Sequence, residues 1–419
     1  VRLQLSTMPR SAIAALLGGA AVLAPLSAAA QAVQVDSRAT FFHEPAKGST
    51  MTVYTPSTDL RVSPWDWLAV AAGWEADVVT GASERLKSGP LARGGADVVT
   101  GASVKDVRHL GRGSVTLKRE SSQLAISGSQ SVENDYKSRS LSLSVGTDLF
   151  QHNTQLELAY ARNWDTVCDA VHSAASDPTL RQPLDDSQGC FRPSAVDRTE
   201  RPIRSDAFQA TWSQAWTPVL MTQAVYTGQL QHGFLSDPYR AVLLSAGGQF
   251  AQEHHPDNRA RQALALRVAY FVRPLKGALR AGVRGYRDTW NVWSATIELE
   301  GEKYLASWLR VRVNARYYNQ REALFWSDDY TGGEPVHGPR GQYFSGDREL
   351  SPFSSWLLGG RVLGAWSADE KRLVGLFQGI QAAASMHVLL HGYRDFTLGG
   401  RAPSDTAAFI GSLSVTALF

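Results

Sequence analysis

The chain has 419 residues, 43% of them hydrophobic and 19% charged, with a formal net charge of +3 at pH 7. Removal of residues 1–32 takes Arg2 and Arg10 and leaves +1, so charge names no partner, and no basic tail marks a nucleic-acid protein. Beyond residue 32 no apolar run reaches the roughly twenty residues of a membrane helix. The apolar content is spread through alternating segments instead, as a closed transmembrane sheet requires.

Arg2 and Arg10 precede an apolar stretch from Ser11 to Ala30, and Ala30-Gln31-Ala32 places small residues around a cleavage point. This predicts a signal peptide over residues 1–32, with a short membrane anchor as the alternative. Residues 33–63 have three readings: a periplasmic lead-in, a plug, or an extra strand pair. Residues 64–419 are expected to form an all-β, transmembrane antiparallel β-barrel of about fourteen strands, with twelve or sixteen as alternatives. Its first strands are placed near Trp65 to Thr80 and Arg112 to Lys118. Residues 240–251 alternate weakly and read as a barrel strand or a loop hairpin.

Short connections are expected at Phe150 to Asn153, Thr217-Pro218, Arg273 to Gly277 and Ala368 to Lys371. Long ones are expected at Val167 to Pro202, Phe234 to Asn258, Gln320 to Pro352 and Tyr393 to Thr406. Short periplasmic turns and long outer loops are the habit of outer-membrane barrels. Trp164, Trp216, Trp290, Trp293, Trp326, Trp356 and Trp366 lie near predicted strand ends, where indoles form girdles at the lipid interfaces. At the C-terminus Phe409, Leu413, Val415, Ala417 and Phe419 share one strand face, and Ser412, Ser414 and Thr416 the other. A terminal aromatic on such a strand is expected to be read by the barrel-assembly machinery. The expected location is the outer membrane of a Gram-negative bacterium, among its lipid and lipopolysaccharide.

Four neighbouring strands carry the most specific pattern. Arg310, Arg312 and Arg316 alternate with apolar residues, as do Glu298, Glu300 and Glu302, while Arg280, Arg284, Arg261 and Arg267 come from the two strands before. A charge facing lipid at mid-bilayer costs about 2–4 kcal/mol, so all ten are expected to line the lumen. Two readings follow. Paired ladders narrow or seal the lumen, or an arginine-rich constriction passes anions.

Cys168 and Cys190 lie in one polar segment and are expected to form a disulfide in an oxidising compartment. His254-His255, with Glu253 and Asp257, reads as a solvated loop rather than a metal site. Asp185-Asp186 and Asp328-Asp329-Tyr330 read as ordinary loop acids. No nucleophile elbow, zinc-spaced histidines or phosphate loop is present, so no catalytic residues, metal or enzymatic activity are expected.

The octapeptide from Ala76 to Ser83 recurs word for word from Ala96 to Ser103. Two copies are too few for a solenoid. As a local duplication, Asp77 and Thr80 are expected to build a turn with Gly81 at positive φ. The string Asp-x-x-Thr-Gly-Ala-Ser also resembles the acceptor motif of periplasmic flavin transferases. That resemblance implies covalent FMN on Ser83 or Ser103, with Asp77, Thr80, Gly81, Asp97, Thr100 and Gly101 as recognition residues.

Phe41-Phe42-His43-Glu44-Pro45, Trp74 to Ser83, Glu133 to Arg139, Leu235 to Arg240 and Ser351 to Trp356 resemble, in that order, a family of Gram-negative outer-membrane barrels of unknown function. The family's genes often neighbour a flavin transferase, a small lipoprotein and a thioredoxin-like protein. The resemblance implies an envelope redox or electron-transfer role, with the transferase and lipoprotein as partners. It carries no established activity, and the second motif copy departs from the usual single one. The alternatives are a porin-like or export channel for small anions, and a scaffold for a partner lipoprotein.

Overall fold

The computed structural model describes residues 32–46, 49–80, 98–100, 105–172, 177–184, 197–244, 250–327, 342–367, 375–394 and 406–419. The strands are β1 (Ala32–Ala46), β2 (Ser49–Trp65), β3 (Leu68–Thr80), β4 (Val98–Thr100), β5 (Lys105–Arg119), β6 (Ser122–Val132), β7 (Tyr136–Leu149), β8 (Thr154–Ala170), β9 (Arg198–Thr217) and β10 (Leu220–Gly233). They continue as β11 (Arg240–Leu243), β12 (Phe250–Gln252), β13 (Asn258–Val272), β14 (Gly277–Asp288), β15 (Trp293–Ala306), β16 (Leu309–Gln320), β17 (Phe353–Ser367), β18 (Gly379–Tyr393) and β19 (Thr406–Leu418). All but β4, β11 and β12 form one closed antiparallel barrel of sixteen strands, in which β1 pairs with both β2 and β19.

Sixteen replaces the expected count of about fourteen. The added pair is β1 and β2, whose Ser, Thr and Pro content blurs the alternation that marks the later strands. Two early boundaries also shift. Trp65 ends β2 instead of opening β3, and β5 starts at Lys105, well before Arg112. No described helix is long and apolar enough to cross a membrane, which says nothing of a closed β-barrel.

Most barrel strands turn one apolar face outward. On β7, Leu141, Leu143 and Val145 are exposed, as are Leu279 and Val283 on β14 and Leu413 and Val415 on β19. Their alternates are polar and bond along the inner wall, as in Ser127–Ser142 at 2.6 Å, Ser129–Ser140 at 2.7 Å and Ser385–Ser412 at 2.7 Å. The arrangement is oil outside and water within, the reverse of a soluble barrel.

Aromatic residues bracket the apolar band. Trp65 stacks on Trp67, Trp308 on Trp366, and Trp212 meets Trp216 near the end where strands are joined by short turns. Trp164, Trp293 and Trp356 are exposed toward the other end, and Trp74 is exposed midway along β3. Trp290 and Trp326 leave this pattern. They are 5% and 6% exposed and pack with Val292, Ala323, Phe325 and Leu350 in a core of their own.

That core belongs to a cap. The sheet β12-β11-β4 and the segments around it fold over the loop end of the barrel. A second cluster of Val242, Leu244, Ala251 and Phe344 fixes the small sheet. Loop lengths at that end are mixed: Glu133 to Asp135 and Thr289 to Val292 are short. Burial of the cap's apolar side chains, about 25 cal/mol per Å2 removed from water, holds connections that lack continuous ladders. Phe419 is buried beside Phe377, and its amide donates to the Val33 carbonyl at 2.9 Å, tying β19 to β1 at the turn side.

Candidate functional site

The lumen carries charged ladders on two sides. On one, β14, β15 and β16 place Arg280 opposite Glu300, Glu298 opposite Arg316 and Glu302 opposite Arg312. Arg280 bonds Glu300 and lies 3.5 Å from Glu302. Arg312 reaches Glu302 at 2.6 Å and Glu300 at 3.3 Å, Arg310 reaches Glu302 at 3.7 Å, and Arg316 reaches Glu298 at 3.7 Å. The expected cross-strand pairing is therefore present.

Arg261, Arg267, Arg284 and Arg361 of this wall form no ion pair among the described residues; Arg261 stands opposite Asp288, whose carboxylate is engaged by Arg259 at 2.5 Å. Arg267 and Arg261 each donate to a glutamine, Gln223 and Gln229, at 3.2 Å. Arg284 and Arg361, the latter opposite Arg312, have no ion pair among the described residues. A recess of about 460 Å3 borders Gln223, Arg267, Arg280, Glu298, Glu300 and Arg312. Next to it His387 Nε2 meets Asn314 Oδ1 at 3.1 Å, passing over Gly359. A Cβ on Gly359 would come within 2.3 Å of that imidazole.

The second ladder lies on β2, β3 and β5, about halfway round the strand order from the first. Arg112 bonds Asp59 at 2.6 Å and lies 3.6 Å from Glu75. Arg108 bonds Asp77 at 2.6 Å and Glu75 at 3.2 Å. In this ladder Asp59, Glu75 and Asp77 outnumber Arg108 and Arg112, so the positive field across the lumen rises toward the β13–β17 wall.

Asp77 thus stands inside a barrel strand, where it also accepts from Thr55 Oγ1 at 2.5 Å. The expected turn built by Asp77 and Thr80 does not form, because Val78 and Val79 favour a strand and β2 and β5 supply its partners. Thr80 ends β3 and Thr100 ends β4, which pairs with β11 in the cap. The same Val-Val-Thr string is strand in both copies, with partners set by tertiary context. Gly81, Ser83, Asp97, Gly101 and Ser103 lie outside the described residues, as do Cys190, Asp185-Asp186, Asp328-Asp329-Tyr330 and nearly all of the signal-peptide segment. Cys168 is 0% exposed near the end of β8.

Above the ladders, the cap holds a buried ionic cluster that sequence reading missed. Arg240 lies 2.7 Å from Asp347 and 3.6 Å from Glu253. Glu253 is 1% exposed and accepts from Ser345 Oγ at 3.1 Å and the Gly346 amide at 3.0 Å. His255 Nδ1 donates to the Leu235 carbonyl, which turns Nε2 toward Glu253 at 3.4 Å. Burial opposes the Arg240 charge, but the three carboxylates of Asp347, Glu253 and Asp237 outweigh it and raise its pKa. Burial likewise opposes the Asp347 charge, and Arg240 overcomes it and lowers that pKa. Glu349 is raised by the charge of Asp347 and by burial.

These histidines are not in a solvated loop. His254 packs against Tyr343 and Phe344, and His255 against Trp290 and Phe325. Among the described residues no group of three or more His, Cys, Asp or Glu could hold a metal ion. The cap is tied to distant strands. Gln252 donates to Asp169 of β8 at 2.9 Å, and Arg348 pairs with Glu44 of β1 at 3.1 Å. The only sequence signal for this cluster was local, in Leu235 to Arg240 and the weak strands beside it.

Comparison with known proteins agrees with the architecture. A solved structure titled "Bacterial polysaccharide outer membrane secretin" aligns over 92% of this chain and 98% of its own, at 9% identity and a TM-score of 0.50. A BenF-like porin from Pseudomonas fluorescens Pf-5 aligns over 93% and 99%, at 8% identity and 0.41. The outer membrane protein opdK from Pseudomonas aeruginosa aligns over 93% and 98%, at 8% identity and 0.40. At these identities the likeness concerns the fold alone. No curated protein matches. A family model does match, over residues 8–363, and with the sixteen-stranded barrel it fixes the classification: the chain belongs to the family described as "Protein of unknown function (DUF3570)".

Proposed function

We propose that the protein is an outer-membrane channel of porin type for small anionic solutes, with its outer mouth narrowed by the folded cap. One observation carries this reading: along β13 to β17, Arg261, Arg267, Arg284 and Arg361 exceed what Glu298, Glu300 and Glu302 neutralise. Fixed cations in a confined, partly desolvated lumen raise the local anion concentration and repel cations. The paired ladders hold the wall rigid, and the unmatched arginines set the sign of selectivity. Turns at one end and the cap at the other support an orientation with turns in the periplasm. Liposome swelling tests the reading. Vesicles containing the protein should admit small carboxylates and phosphates faster than neutral sugars of equal size. Equal rates, or faster entry of cations, refute it.

A second reading concerns the repeated octapeptide. We propose FMN attachment at Ser103 in preference to Ser83, because β4 lies in the cap while the first copy's Asp77 is consumed by bonds inside the barrel wall. This reading adds an envelope redox role, with the periplasmic flavin transferase as processing partner acting before the barrel inserts, since the cap of the inserted barrel faces outward. Peptide mass spectrometry from cells containing the transferase should show the FMN adduct on the tryptic peptide bearing Ser103. An unmodified peptide refutes it.

A further inference from the structure

The outward face of β7 to β10 and β13 is organised in rows across the strands. One row is Leu143, Tyr160, Phe208, Gly228 and Gln262, and the row beneath it is Val145, Leu158, Ala210, Tyr226 and Leu264. Both rows are dominated by exposed apolar or aromatic side chains, as membrane contact requires. The next row toward the loops is Leu141, Arg162, Asp206, Leu230 and Ala260, and the one above it Arg139, Trp164, Arg204, His232 and Asn258. The outward face therefore changes from apolar to cationic over two steps: Arg162 and Asp206 offset each other in the first, and Arg139 and Arg204 make the second cationic. Those steps mark the upper limit of the hydrocarbon.

We propose that this rim binds the phosphate head group of a lipid in the outer leaflet, with its acyl chains lying along the apolar rows below. Three guanidinium groups, from Arg139, Arg162 and Arg204, surround Trp164 on adjacent strands spaced by about 4.8 Å. Arg162 lies over the Trp164 ring at 5.8 Å. Arg139 and Arg204 are exposed and have no ion pair among the described residues. Arg162 Nε is buried without a hydrogen-bond partner. Asp206 is the one carboxylate in these rows. It accepts from Tyr160 Oη at 2.5 Å and lies 3.8 Å from Arg162, leaving the rim cationic.

The surface is also concave. A groove of about 630 Å3 borders Arg162, Arg204, Asp206, Leu230, His232 and Asn258. Planar guanidinium groups bind phosphate oxygens in pairs, and basic pockets at this depth recognise lipid head groups. The source is a lipid phosphate, because the binding groups sit directly above the acyl-chain band. The inference uses the membrane orientation given above and does not depend on transport.

The test is calorimetric titration of the full-length protein in detergent with diphosphorylated lipid A and with the same lipid stripped of phosphate. Dephosphorylation should weaken binding about tenfold or more, and R139Q/R162Q/R204Q should remove that difference. Arg204→Gln alone, at an exposed position, should cost about threefold and serves if the triple variant does not fold. Equal binding of the two lipids by the wild type overturns the proposal. So does a folded variant that still discriminates between them, or displacement of the lipid by inorganic phosphate alone.

Discussion

Arg112 and Asp59 form a two-pronged bond of 2.8 and 2.6 Å across β3, and Gly73 lies directly beneath it. A Cβ at residue 73 would stand 2.0 Å from Asp59 Oδ1 and 2.8 Å from Arg112 Nε. The absence of a side chain on the middle strand is what lets residues two strands apart meet. Gly73→Ala should separate them. Both groups are over a third exposed to lumen water, so the lost pair is worth about 1 kcal/mol or less, with the clash additional. Urea unfolding in lipid vesicles should show reduced stability, and an unchanged midpoint would contradict the contact.

The opposite wall predicts a change in selectivity. Glu300→Gln removes a carboxylate shared by Arg280 and Arg312. Anion preference should then increase, by roughly twofold in permeability ratio, since one fixed charge is gained near the recess. Ion-selectivity recordings on the variant check the direction, and a drop in anion preference would count against the assignment.

In the cap, Arg240 is the one arginine among the described residues that pairs with all three close carboxylates, Asp237, Glu253 and Asp347. Arg240→Met leaves Glu253 buried and uncompensated, which costs about 3–5 kcal/mol in comparable sites. The loss should be confined to the cap, because the barrel ladders are independent of it. Hydrogen exchange should therefore accelerate at residues 240–255 and 342–350 and stay slow in β14 to β18. Uniform acceleration would show that cap and barrel unfold together.

His254 makes the cap acid-sensitive. Burial lowers its pKa below 6.5, and the repulsion of Arg181 adds to this, while its Nδ1 donates to the Gln342 carbonyl at 2.8 Å. Well above pH 6.5 His254 is neutral in both folded and unfolded forms and contributes no pH dependence. Below it the unfolded form gains a proton that the folded form resists, and stability falls as pH falls through 6.5 toward the depressed folded value. Cap exchange should quicken over that interval, and His254→Gln should flatten the response. Asp347 contributes in a lower window: its depressed pKa supplies stability at neutral pH that is lost as pH falls below about 3.8.

Alternation made the later barrel strands readable in the sequence, because the two sides of Ser307 to Asn319 and of Trp293 to Glu302 differ sharply in polarity. The Arg–Glu ladder followed from that same reading. β1 and β2 were harder, since Ser37, Thr58 and Pro56 put small or polar groups on an outward face. The cap was not legible. Its contacts join Glu44 to Arg348 and Asp169 to Gln252, pairs far apart in sequence with no periodic signal. Trp290 and Trp326 were misplaced for the same reason: an indole near a strand end looks alike in the sequence whether it meets lipid or a folded loop.

The reversal potential across a planar bilayer, recorded in a potassium chloride gradient, tests the central claim most directly. The account predicts an anion-selective potential for the intact protein, reduced toward zero in R267S/R284S/R361S. Cation selectivity, or a triple variant with unchanged anion preference, would contradict it.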